Sequence, residues 1–247
     1  MQNILITGCS SGFGLETARY FLEREWNVIA TMRTPRQDVL PQSDRLRVLA
    51  LDVTDPESIR RAVAAAGPLD VLVNNAGIGW LNALEGTPMA IARDVFETNT
   101  LGTIAMTQAV LPQLRERRRG TIVNVTSSVT LKSLPLLSVY TASKAAVNSF
   151  SESLALELAP FNVRVRLVLP GRAPETRFGD NARTRMQAGF PEPYSALVQG
   201  IFAAWQTESA ITRSREVAEA VWRAVSDPSC PTRQPAGADA VELAASV

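Results

Sequence analysis

Apolar residues fall in short runs that alternate with stretches where they recur every three or four positions. Runs at 3–7, 28–31, 46–51, 69–73, 121–126 and 163–169 have strand length, and the apolar character of the fourth predicts burial on both faces of a sheet. Helical periodicity follows the first run through Leu15, Ala18, Tyr20, Phe21 and Leu22, and recurs over 88–118, 138–159 and 215–226. Asp55 is placed to cap a further helix whose first residue is Pro56. Strands alternating with helices imply right-handed crossovers and a parallel, doubly wound α/β sheet. Residues 235–240 are expected to add an edge strand. Over 172–214 the alternation lapses, yet Phe178, Met186, Phe190, Tyr194, Leu197, Val198, Ile201, Phe202 and Trp205 are too apolar for a solvated loop. That stretch is expected to fold as a lid over the ligand-binding edge, with short helices around 195–206 supplying its apolar underside. At 247 residues, without repeats or low-complexity segments, one domain is expected.

The turns carry the first chemistry. Thr7-Gly8-Cys9-Ser10-Ser11-Gly12-Phe13-Gly14 lies where the first strand meets the first helix. Glycines there let the backbone approach a pyrophosphate, whose charge the new helix's free N–H groups and dipole attract. Gly8, Ser10, Ser11, Gly12, Phe13 and Gly14 are therefore candidate cofactor contacts. A dinucleotide site that selects NAD usually places an acid after the second strand, whereas an arginine suits a 2′-phosphate. No acid occurs between Trp26 and Gln37, and Arg33 follows that strand. The expected cofactor is NADP(H), with Arg33 gripping the phosphate and Arg36 as a helper. The fourth strand delivers Asn74-Asn75-Ala76-Gly77 to its C-terminal end, the edge where open α/β sheets bind ligands.

Composition narrows the options. Apolar residues make up 46% and the net charge is +1, which gives no field for nucleic acid or an anionic membrane. The basic run Arg115-Glu116-Arg117-Arg118-Arg119-Gly120 reads as last-turn cations followed by a C′ glycine, not as a nucleic-acid contact. Expected partners are small molecules or further copies of the chain. The absence of histidine excludes Ser-His-Asp and Cys-His catalysis and histidine-ligated zinc. Cys9 and Cys230, the only cysteines, are expected as buried fillers in a reducing compartment. With no leader-like start and no apolar run of spanning length, a cytoplasmic location is expected.

One pair stands out against this background. Tyr140 and Lys144 lie four apart within the predicted helix at 138–159 and share one face. The chain has 25 basic residues, of which only Lys132 and Lys144 are lysines, leaving 23 arginines. A tyrosine with a lysine four places later would arise by chance with a probability of about 0.02. An ammonium beside a phenol favours the phenolate and would lower its pKa, tuning Tyr140 as an acid or base. Ser127, at the exit of the fifth strand, completes a convergent set, with Ser128 as its neighbour and rival.

Together, Thr7-Gly8-x3-Gly12-x-Gly14, Asp52, Asn74-Asn75-Ala76-Gly77, Asn99, Ser127, Tyr140-x3-Lys144 and Pro170-Gly171 resemble the short-chain dehydrogenase/reductase pattern in order and spacing over residues 3–171. The resemblance implies a Rossmann-like sheet of about seven strands and hydride transfer between a nicotinamide and a carbonyl or alcohol. It implies that Tyr140 donates the proton and Ser127 polarises the carbonyl. Lys144 would bind the nicotinamide ribose, and Asn99 would hold a water linking Lys144 to solvent. Asp52 and Val53 would lie at the adenine, and Asn75, Ala76 and Gly77 along the adenosine side. Ser127 is preferred over Ser128 because it keeps the family's thirteen-place distance to Tyr140. Two departures stand out. The threonine after Pro170-Gly171 comes one place late, as Thr176, with Glu175 in its usual position, and Leu169 precedes Pro170 where polar residues are common. The glycine turn and the strand end Ala30-Thr31-Met32-Arg33 resemble members acting on steroids, retinoids and similar carbonyls, and Leu131, Leu134, Leu136 and Leu137 are expected to line such a pocket. The alternatives are a 3-oxoacyl thioester reductase, with Arg177, Arg183 and Arg185 receiving an acidic carrier, and a non-enzymatic NADP-binding regulator. The resemblance also suggests a homodimer or homotetramer built on the helices at 90–118 and 138–159.

Overall fold

A strand rich in Val, Ile and Leu, with apolar residues on both faces, needs cover on both sides, and this chain supplies it with helices. The computed structural model describes residues 2–185, 189–207 and 210–246, and the side chains of Arg183, Gln206 and Thr207 also fall outside the description. Met186, expected in the lid, lies outside the described residues.

The chain runs β1 (Asn3–Ile6), α1 (Gly12–Leu22), β2 (Asn27–Met32), β3 (Leu46–Ala50), α2 (Pro56–Ala66), β4 (Val71–Asn74), α3 (Met89–Phe96), α4 (Gly102–Glu116), β5 (Gly120–Val125), α5 (Ser138–Leu158), β6 (Val163–Pro170), α6 (Arg177–Arg185), α7 (Ser195–Thr207), α8 (Ser214–Ser226), β7 (Arg233–Ala236) and α9 (Ala238–Ala245). The seven strands form one parallel sheet in the order β3-β2-β1-β4-β5-β6-β7. The order reverses between β1 and β4, and it is outside the carboxyl ends of such neighbours that a doubly wound sheet opens a crevice.

Each face has its own core. Ile4, Ile6, Val28, Val73 and Val123 pack with Phe21 of α1 and Val217 and Val221 of α8, while Leu5, Leu72, Ile122 and Val165 pack with Met106 and Val110 of α4 and Leu154 of α5. A third cluster lies off the sheet. There Leu81, Ala83, Leu136 and Val198 are buried, with Phe190, Ile201, Phe202 and Trp205 against them.

Three local expectations are corrected. The helical pattern at 88–118 is two helices, α3 and α4, joined by a π-helical turn (Glu97–Leu101). The left-handed residue ending α4 is Arg118 (φ 48°), whereas Gly120 already belongs to β5. Asp70, 8% exposed, draws the basic run inward, with Arg119 at 3.0 Å and Arg117 at 3.6 Å. Third, β7 occupies 233–236 only. Gly237 (φ 99°) then starts α9, which the sequence pattern did not suggest. Among the described residues no helix is long and apolar enough to cross a membrane, and no cluster of three His, Cys, Asp or Glu could hold a metal.

Candidate active site

The exits of β1 and β4 are lashed together. Thr7 Oγ1 accepts the N–H groups of Asn75 and Ala76, both at 2.9 Å, while Asn75 Nδ2 donates to Thr7 O at 2.9 Å and Gly8 O at 3.3 Å. Asn75 is thus a strut that shapes the glycine turn. Gly8 and Gly12 take left-handed φ values of 76° and 58°, and a Cβ on Gly14 would overlap Asn75 Nδ2 and Gly8 O. Ser11 is the N-cap of α1 with an extended backbone, its side chain makes no capping bond, and the first turn carries no acid. The first-turn N–H groups therefore have no side-chain acceptor there, an arrangement that suits an anion. Ser10 is exposed, whereas the Phe13 ring packs against the core and leaves that residue only its backbone to offer.

Beside this turn, Ser10, Met32, Arg33, Thr34, Arg36 and Arg177 line a cavity of about 200 Å³. Arg36 Nη2 donates to Ser10 O at 2.7 Å. Asp52 is held below the usual carboxylate range, first by the Thr54 N–H, against the opposing effect of burial, and further by the Thr54 hydroxyl and the Arg33 charge. Val53 packs against Gly102 at the start of α4, where a Cβ would come within 2.9 Å of it. A larger, open hollow of about 630 Å³ between Arg19 and Ser43 contains none of the candidate site residues.

Across the crevice, α5 turns Tyr140, Ser143, Lys144, Val147, Asn148, Ser151, Leu154 and Leu158 inward, one stripe at helical spacing. Ser127, extended at the exit of β5, accepts the Val129 N–H at 3.3 Å, and its hydroxyl acts on the Tyr140 phenol, favouring the phenolate. The Ser127 backbone is braced in turn: Thr130 Oγ1 donates to Ser127 O at 2.8 Å and accepts from Asn148 Nδ2 at 2.9 Å. Lys144 Nζ donates to Val125 O at 3.1 Å. Gly77 sits close by, since a Cβ on it would lie 3.1 Å from Asn99 Oδ1 and 3.4 Å from Lys144 Nζ. Asn99, in the π-helical turn, accepts the Ile78 N–H at 2.8 Å and donates to Ile78 O and Ser143 Oγ. Both of its amide hydrogens are thereby engaged, so what its side chain does here is brace the loop after β4.

The electrostatics correct one expectation. Burial pushes the Tyr140 phenol up to about 12, with only the Ser127 hydrogen bond acting to lower it, and burial pulls Lys144 down to about 8. Desolvation outweighs the expected lowering because Phe178 of α6 stands 5.7 Å from the Tyr140 ring, centroid to centroid, and Tyr140 is only 7% exposed.

The ends of the 172–214 segment are tied at the sheet edge. The Gly171 N–H, next to Pro170, donates to Thr212 Oγ1 at 2.9 Å, and Asp239 of α9 accepts from the Arg172 N–H and from Thr212 Oγ1, each at 2.6 Å. Thr176 is buried over the glycine turn, its side chain 3.4 Å from where a Gly12 Cβ would stand, and its Oγ1 donates to Ala173 O at 2.9 Å. Leu136, four residues before Tyr140, is buried in the third cluster with a left-handed φ of 63°, a conformation that is costly for a bulky side chain. Leu137 packs beside it, while Leu134 is 37% exposed. Sequence reasoning missed Thr7 as the acceptor that joins the turns, Asn148 and Thr130 as braces, and Phe178 as the ring over Tyr140. Thr7, a hydroxyl at a strand exit, was the only one of these with a local signal.

A parallel sheet with this strand order is Rossmann-like, and its switch point gathers the glycine turn, Ser127, Tyr140 and Lys144 at one edge. The chain belongs to the short chain dehydrogenase family, whose profile matches residues 2–187. It is 41% identical over 198 residues to 3-ketodihydrosphingosine reductase of Bacteroides thetaiotaomicron, covering 78% of this chain and 72% of that protein. It is 41% identical over 184 residues to retinol dehydrogenase 8 of Bos taurus, covering 69% of this chain but only 58% of that longer relative. Among solved structures, a short-chain dehydrogenase from Streptomyces avermitilis superposes with a TM-score of 0.83 at 34% identity, covering 99% of this chain and 91% of that one. A Burkholderia cenocepacia short chain dehydrogenase in complex with NADP has a TM-score of 0.78 at 29% identity and covers 99% and 93%. A Brucella melitensis 3-ketoacyl-(acyl-carrier-protein) reductase complexed with NADH has the same TM-score at 26% identity and covers 95% and 96%.

Proposed function

We propose that the chain is an NADPH-dependent oxidoreductase interconverting a ketone or aldehyde and an alcohol, on a hydrophobic substrate. The observation that carries this is the gathering of Ser127, Tyr140 and Lys144, all buried, at the sheet edge that also holds the glycine turn. The residues fit a nicotinamide dinucleotide. Gly8 and Gly12 hold the left-handed turn and Gly14 lets Asn75 pack against it, the start of α1 offers N–H groups to a pyrophosphate, and Arg33 with Arg36 offers guanidiniums to a 2′-phosphate. Asp52 and Val53 would flank the adenine, Ala76 and Gly77 the adenosine side, and Lys144 the nicotinamide ribose. When bound, the nicotinamide supplies or accepts a hydride at the carbon bearing the oxygen.

The chain's own groups handle the oxygen. In reduction, charge builds on the carbonyl oxygen, and hydrogen bonds from Ser127 and Tyr140 stabilise it there. Burial keeps the Tyr140 phenol protonated at neutral pH, which suits a proton donor; a cation one helical turn away, Lys144, would favour the phenolate left behind. Residues 172–185 act as the lid, Phe178 closing over Tyr140 and Thr176 over the glycine turn. Substrate hydrophobicity is supported by the third apolar cluster, where Leu81 and Leu136 meet Phe190, Phe202 and Trp205 next to this lid. The retinol dehydrogenase and ketodihydrosphingosine reductase relatives, both named for lipid-like substrates, point the same way. The alternative use of the lid arginines as a carrier dock is less favoured, since Arg177 lines the cavity with Arg33 and Arg185 lies within its electrostatic reach. The test is oxidation of NADPH with a graded panel of ketones and aldehydes. Turnover should rise with the apolar length of the substrate, and a preference for short polar carbonyls would remove the hydrophobic-substrate assignment.

A further inference from the structure

Three consecutive residues of the 172–214 segment reach three parts of the site. Thr176 lies on the glycine turn, Arg177 lines the cavity with Arg33 and Arg36, and the Phe178 ring stands over Tyr140. Neighbouring Cα atoms are only about 3.8 Å apart, so whatever fixes Arg177 also fixes its neighbours. The Phe178 N–H donates to Thr176 Oγ1 at 3.4 Å, which folds the three residues into one turn at the start of α6.

The cavity is cationic from two sides. Arg33 and Arg36 come from the exit of β2, Arg177 from a segment about 140 positions later, and all three are exposed. Among the described residues none of the three is held in an ion pair. Arg185, two turns along α6, is held below the usual arginine range first by burial and then by the Arg33 charge, with Asp94 opposing. Like charges gathered in this way repel until an anion joins them. A phosphate monoester brings a charge of about −1.5 to −2 and three acceptor oxygens, and a guanidinium binds such oxygens in pairs.

We propose that Arg177 completes a site for the 2′-phosphate of NADP(H), so that recognising this phosphate and closing residues 172–185 over Tyr140 are one event. This rests on the NADP(H) reading above and extends it from affinity to lid closure. A ligand shifts a segment only through contacts it makes better in one arrangement than in another, and NAD(H), which lacks the phosphate, has nothing for Arg177 to grip.

The test follows backbone hydrogen exchange over residues 172–185 of the full chain, free and with saturating NADP+, NAD+, 2′,5′-ADP or 5′-AMP, together with calorimetric affinities for the wild type, Arg33→Leu, Arg177→Leu and Arg177→Lys. NADP+ and 2′,5′-ADP should slow exchange in this segment, whereas NAD+ and 5′-AMP should leave it near the free protein's rate. Arg177→Leu should abolish that protection and weaken NADP+ binding by about tenfold while leaving NAD+ affinity unchanged. Arg177→Lys should retain part of both effects. If Arg33→Leu weakens NADP+ binding while Arg177→Leu keeps wild-type affinity and protection, the NADP(H) reading stands and the role of Arg177 is overturned. Equal wild-type affinity for NADP+ and NAD+ would remove the cofactor reading itself, and the role of Arg177 with it.

Discussion

Tyr140 and Lys144 share a helix face, yet burial moves them in opposite directions, and each shift makes a measurable statement. The phenol, raised to about 12, stays protonated well beyond neutral pH, as the proton-donor role we propose requires. Tyr140→Phe, which removes only the hydroxyl, should lower kcat/KM for carbonyl reduction by about 10³-fold, within the usual range for a positioned proton donor, and leave the melting temperature nearly unchanged. Lys144 falls from 10.5 to about 8, so between those values the unfolded chain binds more protons than the folded one. Its burial therefore costs stability in full below about pH 8, and the cost fades as the pH rises towards 10.5. Lys144→Met should accordingly be more stable than the wild type near pH 7, by at most about 3 kcal/mol, with the advantage shrinking as the pH approaches 10.5. Denaturant unfolding at the two ends of that window checks it. The pairing itself was legible from one rare lysine four places after a tyrosine. The direction of the phenol's shift was not, because the group that seals it, Phe178, lies 38 positions away and belongs to a segment without a regular pattern.

Between residues and fold, the site depends on irregular joints. Thr7 is a β1-exit hydroxyl that serves two N–H groups from the β4 exit, and both donors lose their acceptor if it is removed. Thr7→Val, close in shape, should cost about 2–3 kcal/mol and weaken dinucleotide binding, visible as a lower melting temperature together with a raised Kd. The π-helical turn that carries Asn99 and the left-handed Leu136 are joints of the same kind. Each breaks a local rule where tertiary contacts fix the backbone: Asn99 by its bonds to residue 78, Leu136 by burial and by the Asn82 N–H on its carbonyl at 2.9 Å. The six main strands and the long helix at 138–158 were legible because apolar runs and 3.6-residue periodicity extend over whole elements. The split of α3 from α4, the left-handed Arg118 and the existence of α9 were not, because they are settled by Asp70, Asn99 and Gly237 in contacts distant along the chain or by a single φ angle.

At the scale of the molecule, one sheet with two cores opens a crevice at its switch point, and Asp239 ties residues 172 and 212 together at the sheet edge. The sequence announced the crevice through its glycines and the strand-end Arg33, but the cavity that Arg177 shares with Arg33 required the fold. The NADP(H) reading we propose predicts that the wild type prefers NADPH over NADH and that Arg33→Asp reverses this ratio of kcat/KM values, because a carboxylate repels a 2′-phosphate and suits a free ribose hydroxyl. Leu101, in the π-helical turn before α4, and Leu156 on α5 are 49% and 79% exposed and mark the face we propose for self-association. Light scattering should give the mass of a dimer or tetramer, and Leu156→Glu should reduce it. The most direct test of the whole account follows the fate of deuterium from NADPH labelled at the nicotinamide C4 during reduction of a lipophilic ketone by the wild type and by Tyr140→Phe. One deuterium per turnover should appear on the carbinol carbon with the wild type, and formation of labelled product should collapse in the variant. Product without deuterium, or equal labelling by the variant, would contradict it.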